Sequence, residues 1–577
     1  MINKKRIPSK TANYAGLIEE NSFYVDKTQF ITKLESLFDK YLFFLRPRRF
    51  GKSLHLSMLE YYYGHQYAPK FDRLFGEYYI GQPENTTKFK NCYSILRFDF
   101  SGIATDEKEP VKTSFNAKLS KGFKEFHDNY TGFDRTILDS LEREKEPADY
   151  LLYILSEVRS NLQDCKIYLL IDEYDHFTNE LFAFNTNHFH EIVARYGWVR
   201  KFYEVIKQFM ASGLIDRFFA TGVTPVTLDS MTSGFNVARN ITLDEGFNEM
   251  AGFTEEEIRK LIMNTIYDEG KFDIENLISD MRDWYNGSRF SPDASTTIYN
   301  PQMAVSFLSQ FANNFKYPRE MVDTNVTSDY KKISHILSPL DREQKTAILD
   351  EVLVKEKITE GLTLQYNFEK PFTKTDAVSL LFYNGLLTID SAFSDIITYS
   401  VPNYVVKQLY WEVFRVAQEK ESNISYDISE IGYALKQMSL DGEIEHLVKY
   451  AQKIMTAISY RDLQNFTEKH LKMIFMTIFG GNSLYFVRSE LETSKGYADI
   501  YLRKTAQNPG KYNHLLELKY VKQHDKVNID RIKMDGSAQV KKYRDALPEE
   551  EKENLKTRLV IFHDKFEYQV IEIGSEW

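Results

Sequence analysis

Residues 46–53 read Arg-Pro-Arg-Arg-Phe-Gly-Lys-Ser. They follow the apolar run YLFFL at 41–45 and precede the helical pattern LHLSMLEYYY. That is the strand–loop–helix setting of a phosphate-binding loop. Backbone N–H groups of the loop and helix start can surround phosphate oxygens. Lys52 would reach the β- and γ-phosphates, Ser53 would ligate Mg²⁺, and Gly51 lets the backbone approach closely. The general pattern GxxxxGK[ST] asks for glycine at position 46, where this chain has Arg46. An arginine there cannot take a positive φ cheaply, so the turn is expected to differ from the standard one. Its guanidinium would lie beside the phosphates as a built-in cation or obstruct a degenerate loop. The competing reading is a surface Gly-Lys-Ser turn without a ligand.

A second element bears on that choice. Residues 167–175 read Ile-Tyr-Leu-Leu-Ile-Asp-Glu-Tyr-Asp, an apolar strand ending in carboxylates. Asp172 would hold Mg²⁺, directly or through water, and Glu173 would orient or deprotonate the attacking water. The bland alternative is a buried strand running into a solvated acidic turn. A further strand ends in Thr221-Gly222-Val223-Thr224-Pro225. From there Thr221 or Thr224 would sense the γ-phosphate, although a threonine at a strand end is commonly a turn residue. Arg239 follows that strand and is a candidate arginine finger by position alone.

A third constellation lies near the C-terminal end. Ala498-Asp499-Ile500-Tyr501-Leu502 reads as a strand, a turn-rich stretch with Pro509-Gly510 follows, and His514-Leu515-Leu516-Glu517-Leu518-Lys519-Tyr520 reads as its partner. Strand side chains alternate, so Glu517 and Lys519 share one face. A hairpin would bring Asp499 to Glu517 at a common, solvated edge. Two carboxylates suit a hard cation such as Mg²⁺ or Mn²⁺. An adjacent lysine would acidify the attacking water or neutralise developing charge on phosphorus. Glu468, on the helical stretch TEKHLKMIFMTIF, would supply a third metal carboxylate, with Glu492 as competitor. Gln539 and Tyr543 are four apart on an expected helix and so share a face. Glu-x-Lys alone is more often a solvated charge pair. Between 499 and 544, however, eleven basic residues stand against five acidic ones, in a chain of net charge −10. A basic segment in an acidic chain is the footprint of a phosphate-backbone binder.

The elements that must position these groups can be read as well. Over residues 1–245 short apolar runs alternate with helical periods, the mark of a parallel α/β sheet, with strands at 41–45, 94–100, 167–171 and 217–223. Between 246 and 430 helices dominate, as in 254–266, and 376–389 reads as helix, glycine turn and strand, compatible with a winged helix. From 431 to 577 helices lead into strand, hairpin, strand and helix. The 577 residues are 43% hydrophobic and 15% aromatic, which excludes a disordered chain or a coiled-coil rod and allows several domains. Cys92 and Cys165 make no disulfide framework, so a reducing compartment is expected. No apolar run is long enough to cross a bilayer, and no apolar segment follows the basic start MINKKRIPSK, so neither a signal peptide nor a membrane partner is expected. The expectation is a cytoplasmic protein.

These residues resemble the bacterial AAA-ATPase-like proteins that carry a C-terminal nuclease domain of the PD-(D/E)XK superfamily. The landmarks are Tyr24-Val25-Asp26-Lys27-Thr28, Arg46 through Ser53, Leu170 through Asp175, Thr221 through Pro225, Trp284-Tyr285-Asn286-Gly287, Tyr299-Asn300-Pro301, Ala498-Asp499-Ile500 and Glu517-Leu518-Lys519. In that family the first glycine of the phosphate loop is typically arginine, as Arg46 is here. The resemblance implies a nucleotide site with Arg46, Arg48, Phe50, Gly51, Lys52, Ser53, Asp172 and Thr221, and Mg²⁺ on Ser53 and Asp172. It also implies nuclease chemistry at Asp499, Glu517 and Lys519. Relatives often approach the catalytic Asp through Gly-x-Gly-Arg-x-Asp; here the stretch is Ser494-Lys495-Gly496-Tyr497-Ala498-Asp499, without that arginine. The expected fold is α/β: a P-loop core, a helical and winged-helix middle, and a restriction-endonuclease-like end. The expected function is ATP-binding, metal-dependent cleavage of DNA under nucleotide control, with a homo-oligomer open. The alternative is a nucleotide-dependent switch or scaffold whose last domain only binds nucleic acid or protein.

Overall fold

The computed structural model describes residues 4–105, 111–130, 136, 146–162, 165–179, 197–225, 235, 237–322, 329–366, 371–422, 425–457, 466–493, 496–522, 529–564 and 567–574. Of the sequence landmarks, Ser494, Lys495, Asp525 and Lys526 lie outside these. The chain forms two compact units. One comprises Met1–Ile278, Tyr285–Ala312 and Thr359–Pro402; the other comprises Ser279–Trp284, Asn313–Ile358 and Asn403–Trp577.

The first unit is built on a parallel sheet of β1 (Tyr41–Leu45), β2 (Ser94–Asp99), β3 (Ile167–Asp172), β4 (Ile215–Gly222) and β5 (Arg239–Asn240), in the order β2-β3-β4-β1-β5. The central strands are apolar because both faces are covered: Leu42 through Leu45 and all of β3 are buried. Helix α1 (Lys52–Tyr63) leaves the loop after β1 from Gly51, whose φ of 89° is left-handed and whose missing Cβ faces open space. Helices α2 (Val111–Asn129) and α3 (Trp198–Ala211) pack on β2 and β4. Register aligns the carboxyl ends of the strands, with Leu45 beside Gly222 and Asp99 beside Asp172. In open parallel sheets that is the edge where ligands bind.

The stretch read as a helix over 254–266 is α4 (Glu255–Thr265). It starts at a capping box in which Thr254 and Glu257 satisfy each other's backbone N–H. Further on come β6 (Lys357–Glu360), α5 (Lys374–Tyr383), β7 (Thr388–Phe393) and β8 (Ile396–Ser400); the strands form a small sheet in the order β6-β8-β7. The helix, turn and strand read at 376–389 are therefore α5, the turn at Gly385 and β7. Gly287, one of the landmarks, has φ 117°, and a Cβ there would stand 1.8 Å from the Pro402 carbonyl oxygen. No other residue fits without moving that backbone.

The second unit carries β9 (Tyr485–Thr493), β10 (Gly496–Lys504), β11 (Asn513–Val521), β12 (Leu555–His563) and β13 (Glu567–Glu572), ordered β13-β12-β11-β10-β9. β11 and β12 are parallel and the other neighbours antiparallel. Helix α6 (Glu468–Gly480) packs on β9, β10 and β11. Helix α7 (Ile529–Asp545) makes the crossover that parallel β11 and β12 require, packing on both. The core includes Tyr501, Leu515, Val540 and Tyr543. On α7, Gln539 Nε2 donates to Tyr543 Oη at 2.8 Å, as their spacing of four predicts. No described helix is long and apolar enough to cross a membrane.

Candidate active sites

At the carboxyl edge of the first sheet, β4 lies between the strand that leads into the phosphate loop and the strand that ends in acids. Lys52 is buried, and its Nζ donates to the carbonyl oxygens of Arg46 and Pro47 at 2.8 and 3.0 Å. Burial pushes its ammonium down to about 8, against the opposing pull of Asp172, Glu173 and Asp175. Lysine and acidic strand are thus gathered at one edge, with Ser53 half-buried on the first turn of α1. Asp172 Oδ1 accepts from Thr221 Oγ1 at 2.7 Å and from the Glu173 N–H at 3.1 Å. Thr224 is otherwise engaged: its N–H and hydroxyl both donate to Asp175, a buried carboxylate that caps the end of β4. Of the two threonines, then, Thr221 is the one bonded to the metal-ligand candidate.

Glu173 has φ 49°, a left-handed conformation uncommon outside glycine and worth attention near a site. Burial raises its pKa, with His176 and Lys52 opposing. His176, which sequence reasoning passed over, sits 3.7 Å from Glu173 Oε2 through Nδ1, and Arg48 of the phosphate loop donates to the same nitrogen at 2.8 Å. The signal available was the spacing of three from Glu173. Arg239 is not turned to this edge: it lies beside Leu42 and is paired with Asp39 and Asp244 at 3.2 and 2.7 Å.

Arg46 departs from both readings of it. Its side chain is enclosed, 1% exposed, and its guanidinium donates to the carbonyl oxygens of Leu45, Thr242 and Phe247 at 2.8 Å and of Asn248 at 3.4 Å. The Phe44 and Phe290 rings lie 4.3 and 4.5 Å from it. Burial pushes the group down to about 9. It ties the loop's first residue to the 242–248 segment, with its donors spent on main-chain carbonyls. The left-handed positions of the loop are Arg49 (φ 72°) and Gly51, not Arg46, so arginine at 46 carries no backbone penalty. Phe50 is likewise buried, edge-on to Phe290 at 5.3 Å, and supports the loop by packing.

In the second unit the hairpin joins the three expected residues. Ile500 pairs with Leu516, which brings Asp499 level with Glu517, and Asp499 Oδ2 accepts from the Leu518 N–H at 2.9 Å. Lys519 Nζ bridges Glu517 Oε1 at 2.8 Å and Glu468 Oε1 at 3.2 Å. Opposing burial, these carboxylates raise the lysine's pKa. Glu468 therefore reaches the cluster through the lysine, and among the described residues no three acidic or histidine side chains are set to hold a metal ion together. Glu492 stands on β9, but its side chain is outside what is described. The edge is not solvated as expected: Glu517 is 1% exposed. Burial, then the charge of Asp499, pushes its carboxyl up to about 7. Its Oε2 is buried without a hydrogen-bond partner.

Residues 8–232 match the family described as "Predicted AAA-ATPase", and residues 466–572 match the PD-(D/E)XK nuclease superfamily. The chain joins an AAA-ATPase-like domain to a PD-(D/E)XK nuclease domain. A protein of Azotobacter chroococcum mcd 1, described as an uncharacterized protein in the vnfD 5′ region, is 25% identical over 305 residues, 52% of this chain and 51% of that protein. The chain thus matches about half the length of this curated relative. The ATPase-like domain contains the Lys52 edge, and the nuclease domain contains the Glu517 cluster. Sequence reasoning also missed Lys472 in the nuclease domain. It lies one turn after Glu468 on α6, with Nζ 3.8 Å from Asp499 Oδ1.

Proposed function

We propose that the chain is a cytoplasmic, ATP-binding nuclease that cleaves phosphodiester bonds in DNA with a divalent cation, under control of the nucleotide site. The observation that carries this reading is Glu517. A buried carboxylate oxygen without a donor is costly, and the lysine beside it satisfies only the other oxygen. A cation is the partner the group lacks, and the oxygen donors of Glu517 and Asp499 fit Mg²⁺ or Mn²⁺. When bound there, the cation supplies positive charge to the phosphodiester and acidifies the attacking water. Lys519 holds Glu517 in place and offers its ammonium to the charge that develops on the phosphoryl oxygens. Glu468 fixes Lys519 from its other side. The basic segment 499–544 meets the nucleic-acid backbone.

In the ATPase-like domain, Lys52 binds the β- and γ-phosphates, exchanging two loop carbonyls for phosphate oxygens. Ser53 and Asp172 are the residues to hold the nucleotide's Mg²⁺. Thr221, bonded to Asp172, reports the γ-phosphate from β4, and Glu173 orients water. The test incubates the purified chain with linear, circular and single-stranded DNA, with Mg²⁺ or Mn²⁺ and with or without ATP. Metal-dependent cleavage that Glu517→Gln and Lys519→Ala abolish is expected. Wild-type protein that binds DNA but cuts none with either metal would favour the switch or scaffold instead.

A further inference from the structure

His55 stands in the first turn of α1, where its main-chain N–H donates to the Gly51 carbonyl at 3.0 Å. Its side chain is buried, and neither ring nitrogen has a hydrogen-bond partner among the described residues. Burial, then the charge of Lys27, pushes its pKa down to about 3, so the ring is neutral. A neutral imidazole carries one donor and one acceptor, and leaving both unused in the interior is costly. The ring lines a recess of about 480 Å³, its open mouth included, that Phe50 and Gly51 of the phosphate loop also line. Phe23, Val25, Leu54, Met250 and Phe253 make its wall apolar. Lys27 borders it too, but its ammonium is spent on both Glu257 carboxylate oxygens at 2.7 Å and the Glu249 carbonyl at 2.8 Å. The Tyr24 hydroxyl donates to Met58 Sδ at 3.3 Å. The Gly252 N–H donates to the Phe50 carbonyl at 3.1 Å, which fixes the 250–253 wall to the loop. That wall follows the 242–248 segment that Arg46 holds.

We propose that this recess receives the base of the nucleotide whose phosphates meet the loop, and that His55 bonds the edge of that base and selects adenine. This rests on the reading of the loop as a nucleotide site. Small-ligand sites are mostly apolar, with a few polar groups that fix orientation. Here an apolar wall and an unused imidazole adjoin Gly51, the residue directly before Lys52. A purine's flat faces leave water against that wall. On its pairing edge adenine presents a ring nitrogen and an amino group, whereas guanine presents a carbonyl, a ring N–H and an amino group. One imidazole meets only one of these. Guanine therefore leaves more polar groups unpaired in an apolar recess, and each such group lowers affinity roughly tenfold or more. The role of His55 is in binding and in the choice of base.

Isothermal titration calorimetry of the full chain with Mg²⁺ compares ATP, GTP and inorganic tripolyphosphate, which carries the phosphates without the base. The wild type should bind ATP about tenfold or more tightly than either of the others. His55→Phe keeps an aromatic ring but removes both nitrogens; it should weaken ATP about tenfold and leave tripolyphosphate unchanged. His55→Gln, which restores a donor and an acceptor, should recover part of the loss. A wild type that binds GTP or tripolyphosphate as tightly as ATP overturns the proposal. So does a folded His55→Phe that binds ATP like the wild type, or that loses ATP and tripolyphosphate equally. In each of these cases the phosphate site at the loop stands. If the phenylalanine variant does not fold, His55→Leu takes its place, and the wild-type comparison decides without either. Binding of none of the three ligands removes the nucleotide reading and the proposal with it.

Discussion

Replacing Arg46 by glycine, the residue the general motif asks for, should unfold the phosphate loop rather than improve it. The guanidinium serves the Leu45, Thr242 and Phe247 carbonyl oxygens at 2.8 Å and sits between two aromatic rings. Its removal strands three buried acceptors at about 1 kcal/mol or more each and opens a cavity worth roughly another 1–2 kcal/mol after partial collapse. Against this stands the relief of burying a cation, which keeps the net loss near about 3–5 kcal/mol, the range for breaking a buried charged contact. At roughly 2–4 °C per kcal/mol for a unit of this size, R46G should lower the first thermal transition by about 6–20 °C. R46K should recover only part of it, because an ammonium cannot fork to three separated carbonyls. Nucleotide affinity should fall with the loop's order, read with a fluorescent ATP analogue below the transition. An R46G protein as stable as wild type that binds the analogue more tightly would refute the clamp and restore the idea of an obstructing arginine.

On the proposed nucleotide site, Lys52→Ala should abolish ATP-analogue binding by removing the charge proposed to meet the β- and γ-phosphates, while Glu173→Gln should bind normally and hydrolyse more slowly; the titration and a phosphate-release assay separate the two. Thr221→Val removes the 2.7 Å bond to Asp172 and should slow hydrolysis roughly tenfold, about 1.4 kcal/mol, with little change in binding; an unchanged rate would make Thr221 a packing residue. On the proposed metal-dependent reading, proton and metal compete at Glu517, whose carboxyl is raised to about 7. Mn²⁺ affinity should fall about tenfold per pH unit below that value and level off above it. The same shift makes the metal-free domain bind more protons folded than unfolded, so its stability should decline as pH rises from the usual carboxylate range toward 7, and Mn²⁺ should reverse the decline. Thermal melts across that range with and without Mn²⁺ measure both signs. Lys519→Ala should cost cleavage roughly 2–4 kcal/mol and also lower stability, because Glu517 is buried and would lose the ammonium paired with it.

The strand edges that carry both candidate sites were legible because they are specified by short-range pattern. An apolar run before Gly-Lys-Ser, a second one before Asp172-Glu173, and alternation through Glu517-Leu518-Lys519 each specify a strand edge from neighbours in sequence. Turn residues at Pro509-Gly510 and strand spacing were enough to bring Asp499 to Glu517. The order of the strands was not legible: nothing local says that β4 enters between β3 and β1, and that insertion is what sets Thr221 against Asp172.

The sequence by itself determined which residue types stand at the ends of strands, and so which charged and hydrogen-bonding groups those edges carry. Only the tertiary structure decided their surroundings. Arg46 reads as a charge beside phosphate until the 242–248 segment, about two hundred residues later, supplies the carbonyls that enclose it. Glu517 reads as a solvated edge until its neighbours bury it, and Lys472 reads as one helix charge among several until α6 packs beside Asp499. The physical reason is the same in each case: charge and hydrogen-bonding capacity belong to the residue, whereas burial and partnership are made by segments distant in the chain.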